Sequence, residues 1–287
     1  MIASTALFTC SVLLIRGLGT IEAVNVWLVA AVRFAVGFAM CATFYRRDFR
    51  PKRLYRNRLL LERGLMGGAS VCGYYVAVME IGAGRATFIN NTYVIFGALF
   101  AVWALREPFR WSLGVGTLVS LGGLALLTNV FGSAGSAPGL YDFIAFATAI
   151  LSGWIVVTIR KLHATEHTAT IFGAQCAYGL LLCIGPALLH LQRLSTTVAV
   201  MLVLAGLCAG FGQLAMTRAF RDLPVAEGSL LQMFVPIGIA LGGIIFFGER
   251  FRLGETAGAV LILAGSVLPV IPARKLASRL LDLEPFA

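Results

Sequence analysis

Polar side chains set inside long apolar stretches are the residues with chemistry to offer in this sequence. Asn90 and Tyr93 lie three apart, on one face of a helix. Gln232 falls where an internal repeat, described below, pairs it with Asn90. Amides both donate and accept, so two at matched positions suit a zwitterionic or polar uncharged ligand; the same groups also serve as interhelical hydrogen bonds of about 1 kcal/mol. Tyr74, Tyr75 and Trp154 offer aromatic walls with polar tips, either for an apolar or aromatic ligand or for packing at a membrane interface. The two tyrosines are consecutive and point about 100° apart, so only one is expected to face a cavity, Tyr75 by preference. Gln213, Gln175 and Thr158 add polar groups in neighbouring stretches. Arg33 is the cation set well inside an apolar run. It can bind a substrate carboxylate, or it can snorkel to the outer interface and satisfy helix-end carbonyls.

Other chemistry is missing. No acidic residue reads as lying at the middle of an apolar run, with Glu80 and Glu227 near run ends, so no buried carboxylate is expected to relay protons. Metalloprotease and nucleophile-elbow motifs are absent, and His163 and His167, four apart, have no third ligand nearby. The six cysteines fall within apolar stretches with no CxxC pair, as small core residues do. These readings argue against an enzyme and predict no cofactor and no metal.

The elements that carry these residues are membrane spans. Hydrophobic residues make up 59% of the chain and charged residues 13%, with a mean hydropathy of +0.88. That leaves too little polar surface to cover a water-facing globule of 287 residues. Apolar runs at residues 2–15, 26–44, 65–81, 86–105, 113–130, 141–159, 169–189, 200–220, 228–247 and 257–271 predict ten transmembrane helices. The first is short, is not preceded by a basic segment, and does not read as a cleaved signal peptide. The Gly- and Ser-rich stretch 129–139 reads as a linker, and the tail 274–287 as a short amphipathic segment in the headgroup region or an expression remnant. The net charge of +10 comes from basic residues in short gaps, which marks topology and lipid headgroup contact rather than nucleic-acid binding. With the N-terminus in the cytoplasm, the arginine-rich stretch 46–63 and most other basic residues face inward. Arg16, Arg85, Arg193, Arg250 and Arg252 fall on the other side. Both termini are therefore expected in the cytoplasm.

Displacing the chain by 142 residues aligns it with itself. Gly64 and Gly68 fall on Gly206 and Gly210, Ala98 on Ala240, Gly116 on Gly258 and Gly123 on Gly265. Glu107, Phe109 and Arg110 fall on Glu249, Phe251 and Arg252. The charged match at the same offset as the glycines carries the repeat. It divides the chain into units of residues 1–132 and 133–287, each with five spans, and an odd number forces the second to enter from the opposite side. The expected fold is all-α integral membrane, ten helices as two inverted five-helix repeats, with a site between the halves near the midplane. The GxxxG spacings at Gly64/Gly68, Gly206/Gly210, Gly238/Gly242 and Gly254/Gly258 suit close helix contact.

Leu105-Arg106-Glu107-Pro108-Phe109, Phe247-Gly248-Glu249-Arg250-Phe251, the Gly-rich apolar helix after each, and Arg33-Phe34 together resemble the ten-helix EamA branch of the drug/metabolite transporter superfamily. In length and plan the chain is similar to YddG-type amino-acid exporters. Arg250 departs from the pattern, standing where the first half has Pro108. The resemblance implies alternating access and export of small metabolites across the cytoplasmic (inner) membrane, amino acids foremost, aromatic or other neutral ones. Other exported metabolites (a nucleobase, a drug or a cofactor precursor) are the alternative, ahead of an intramembrane enzyme or a passive channel. The partners expected are a small-molecule substrate and membrane lipids, with the protein a monomer or homodimer.

Overall fold

A computed structural model describes residues 1–108, 110–130, 139–250 and 252–267. The described residues form twelve α-helices: α1 (Ile2–Ile21), α2 (Val26–Thr43), α3 (Arg58–Ile81), α4 (Ala83–Asn91), α5 (Tyr93–Leu105), α6 (Trp111–Leu127), α7 (Leu140–Leu162), α8 (Thr168–Leu189), α9 (Thr196–Asp222), α10 (Val225–Gln232), α11 (Phe234–Phe247) and α12 (Leu253–Val267). Eight helical stretches are long and apolar enough to cross a membrane: α1, α2, α3, α7, α8, α9, and the joined pairs Ala83–Leu105 and Val225–Phe247. The remaining two, α6 and α12, are apolar but shorter, at 17 and 15 residues. Every expected span is thus helical where described. Phe109, Phe251, residues 131–138 of the linker and the tail from residue 268 lie outside the described residues.

Three differences from the sequence reading bear on the site. α1 runs on through Gly17 and Gly19 to Ile21 and ends where Glu22 turns extended. α3 begins at Arg58, capped by Asn57, so Glu62 and Arg63 belong to the helix rather than to a polar gap. The fourth and ninth spans are each broken, at Thr92 and at Met233. Pro236 explains the second break: it has no N–H to offer the Gln232 carbonyl. The first break has no proline. There Thr92 Oγ1 donates to the Ile89 carbonyl at 2.7 Å and Asn91 Nδ2 to the Thr87 carbonyl at 2.8 Å, side chains competing for backbone acceptors.

The repeat extends to the helices themselves. Val26, Ala83 and Trp111 begin α2, α4 and α6; displaced by 142 they become Thr168, Val225 and Leu253, which begin α8, α10 and α12. Packing follows the same exchange: α1 packs on α9 as α3 packs on α7, and α2 on α9 as α3 on α8. Two matched pairs, α6 with α12 and α2 with α8, also meet each other, and they run antiparallel. A Cβ on Gly123 would lie 2.6 Å from the Gly258 carbonyl oxygen, and one on Gly265 would lie 2.5 Å from that of Gly116. In the same sense Phe34 of α2 meets Gly179 of α8, while Gly37 meets Cys176. Gly64 and Gly68 notch α3 against α8, and Gly206 and Gly210 notch α9 against α2, as their spacing predicts; Gly254 faces open space. Large apolar side chains such as Leu99, Trp103, Trp111, Leu118, Phe246 and Leu253 are exposed, the arrangement of a protein whose solvent is lipid.

Candidate functional site

Arg33 stands near the middle of α2, among apolar neighbours. Its Nη1 donates to the Tyr75 hydroxyl on α3 at 3.2 Å, and its guanidinium carbon lies 6.0 Å from the centre of the Phe8 ring of α1. Among the described residues no carboxylate approaches it within ion-pair distance. Tyr74, its ring centroid 6.0 Å from that of Tyr75, turns away and shares a 2.8 Å hydrogen bond with Thr87 on α4.

The residues flanking the two helix breaks are held by opposite neighbours. Asn90 Oδ1 accepts from Thr148 Oγ1 of α7 at 3.1 Å. Gln232 Nε2 donates to Ser4 Oγ of α1 at 3.1 Å and to Met1 Sδ at 2.8 Å. Because α1 and α7 are matched helices, each amide is anchored in its counterpart's manner. The turn at Thr92 separates Asn90 from Tyr93, whose hydroxyl reaches toward the Ser229 carbonyl of α10 at 3.5 Å.

Trp154 and Thr158 on α7 converge on Glu62 of α3: Trp154 Nε1 donates to Oε1, and Thr158 Oγ1 lies 3.3 Å from the same oxygen. The Trp154 ring meets Phe100 edge-on at 5.4 Å between centroids, and Lys161 Nζ stands 5.2 Å from its centre. Gln175 serves Arg63, accepting from Nη2 at 2.7 Å inside the core. Gln213 is buried on α9. Sequence reasoning missed Glu62 and Thr87. Glu62 was hidden by the arginines around it; Thr87, close to Asn90, carried no signal of its own.

A cavity of about 520 Å³ opens at one end of the bundle, between α4 (Ala83, Gly84, Thr87), α11 (Pro236, Ile239, Ala240) and the charged groups Arg16, Glu249, Arg250 and Glu255. Thr87 links its wall to Tyr74. A smaller cavity, about 280 Å³, lies at the other end and is lined by Ala98, Glu107, Pro108, Leu113 and Ala226 among others. Displaced by 142, these five are Ala240, Glu249, Arg250, Glu255 and, from Ala226, Gly84, all lining the larger cavity. Five equivalent positions thus line both cavities, the roomy one at one end of the bundle and the smaller, contracted one at the other.

The EamA-like transporter family matches residues 1–129 and again 139–271. The chain belongs to that family. Among curated proteins, the pseudopaline exporter CntI of Pseudomonas aeruginosa is 25% identical, over 218 residues in strain PAO1 and 224 in strain UCBPP-PA14, in each case 73% of either chain. A crystal structure at 20% identity superposes with a TM-score of 0.77, covering 96% of this chain and 98% of that one, which shows the fold.

For an EamA-like transporter, the ends of the bundle matter as much as its middle. The glutamate between the fourth and fifth spans of each half follows a left-handed residue at the close of a helix, Arg106 (φ 55°) before Glu107 and Gly248 (φ 66°) before Glu249. In both, the glutamate N–H returns 3.2 Å to the carbonyl six residues back, Ala101 or Gly243. The shared motif is therefore a device for aiming a carboxylate. Arg16 of α1 pairs with Glu249 and holds its carboxyl below the usual carboxylate range. Arg160 of α7 pairs with Glu107 at 3.0 Å.

Proposed function

We propose that the protein is a secondary transporter that exports small metabolites, amino acids foremost, across the cytoplasmic membrane by alternating access. In this reading ten helices form two inverted five-helix repeats, residues 1–132 and 133–287, with both termini in the cytoplasm. The coincidence of three matched helix starts and the antiparallel contact of matched helices support the inversion. Asn90, Tyr93, Gln232, Tyr75, Trp154, Gln213, Tyr74, Gln175, Thr158 and Arg33 remain the proposed substrate-binding set, with Arg33 and Tyr75 at its centre.

One observation carries the substrate class. Arg33 is a half-buried cation midway along a membrane helix, and among the described residues its one hydrogen-bond partner is a phenol. A charge in that setting calls for a counter-charge, and a substrate carboxylate supplies it beside an aromatic wall. The phenol has no charge to lose when the ligand arrives, so the guanidinium can turn to it. Amino acids meet that description. The names of the two relatives favour a second reading, a pseudopaline-type metabolite.

The test is growth protection of an exporter-deficient host against toxic amino-acid analogues. Arg33→Gln is expected to lose protection at unchanged membrane abundance, Arg33→Lys to keep part of it, and Tyr75→Phe to reduce it severalfold. Full protection by Arg33→Gln rules out carboxylate capture at this site.

A further inference from the structure

The two ends of the bundle are built from equivalent parts in different arrangements. At the contracted end, Glu107 joins three elements. Its Oε1 meets Arg160 Nε of α7 at 3.0 Å, and its Oε2 accepts from the Val225 N–H, the first residue of α10, at 3.1 Å. Arg160 also donates to the Leu223 carbonyl just before α10. The end of α5, the end of α7 and the α9–α10 turn are thus tied by one carboxylate, and α10 packs directly on α5. A carboxylate on the first amide of a helix satisfies an orphan donor and meets the positive end of the helix dipole.

At the roomy end the same parts are present. Glu249 stands for Glu107, and α1 supplies Arg16 as α7 supplies Arg160. Ala83, the first residue of α4, stands for Val225. Here the ionic half of the knot is made and the helix-cap half is not: the cavity of about 520 Å³ lies between Glu249 and Ala83, parting α11 from α4.

We propose that Glu107 and Glu249 are exchanging latches. Each is held permanently by the arginine of its own end, and each caps the short helix opposite it only when that end is shut. As the roomy end closes, Glu249 caps α4 at Ala83 in the way that Glu107 now caps α10 at Val225, and Glu107 releases Val225. The breaks at Thr92 and Met233 make α4 and α10 short levers that can tilt while α5 and α11 stay packed. This inference rests on the alternating-access reading and adds to it the two groups that choose the state.

The test uses single cysteines at two matched positions, Ala240→Cys in the roomy cavity and Ala98→Cys in the contracted one, in proteoliposomes. A membrane-impermeant thiol reagent is applied to either face, and the native-cysteine background is subtracted. In an otherwise unaltered protein Ala240→Cys labels fast and Ala98→Cys slowly. Adding Glu107→Gln is expected to reverse the order, each rate moving about fivefold, the weight of one helix cap in a two-state balance. Adding Glu249→Gln is expected to slow Ala98→Cys further, and the double substitution to restore the original order, which a misfolded protein would not do. Both rates unmoved by Glu107→Gln overturns the latch. Ala98→Cys accelerated with Ala240→Cys unchanged keeps the latch but overturns the alternation on which it rests, because the two ends would then open independently.

Discussion

Single residues in this protein do chemistry set by what faces them, and His163 shows how that becomes measurable. It caps the end of α7, and its Nε2 lies 2.7 Å from the Thr217 carbonyl of α9. Burial pushes its pKa down, opposed in part by that hydrogen bond. The folded protein therefore prefers the neutral ring, with Nε2–H donating to the carbonyl, while the unfolded chain takes up a proton near its ordinary value of about 6.5. A pKa depressed by folding gives stability that is complete above the unfolded value and lost as pH falls through the folded one. The melting temperature in detergent is expected to drop between pH 8 and pH 5.5, and His163→Gln to flatten part of that slope. An identical slope in the variant would show that His163 is not its source. Arg63 teaches the opposite lesson about single residues. It is 1% exposed, and among the described residues its Nε and Nη1 have no hydrogen-bond partner. The arginine-rich gap in which it was read gave no hint that the helix starts before it.

At the scale of elements, the sequence announces contact by glycine but does not say which glycine makes it. Gly122 and Gly123 are neighbours on α6, and only Gly123 meets α12; nothing stands within 4 Å of a Cβ on Gly122. Gly123→Val is expected to lower the stability of the protein by about 1–3 kcal/mol through overpacking, while Gly122→Val leaves it nearly unchanged. Thermal unfolding of both in one detergent checks the difference. Equal losses would mean that helix propensity rather than contact governs this helix. The spans themselves were legible because about twenty apolar residues in a row have few other uses. The repeat was legible because a charged motif recurred with its glycines. The breaks in the fourth and ninth spans were only half legible. Pro236 marks one, but Thr92 and Asn91 make the other through side-chain bonds to the backbone, an option any Thr or Asn has and few take. For the same reason Asn90 and Gln232 could be placed at matched positions, while the helices that anchor them, α7 and α1, became visible only in the packing.

For the whole molecule, charge and symmetry make one joint demand. In the proposed arrangement two units with matched helices antiparallel cross the bilayer in opposite senses, while the bias of the basic residues calls for one orientation of the entire chain. Both conditions hold only when the arginine-rich stretch around Arg47 and the stretch around Arg193, which joins α8 to α9, lie on opposite faces. Arg47→Cys and Arg193→Cys should therefore react differently with a membrane-impermeant maleimide on intact cells: Arg193→Cys labels at once, and Arg47→Cys labels only after permeabilisation. Cytoplasmic fluorescence from reporters fused at either terminus should accompany that result. Labelling of both cysteines in intact cells would place the two stretches on one face. The charge bias would then have failed, and with it the inverted arrangement that makes a site between the halves reachable from either side in turn.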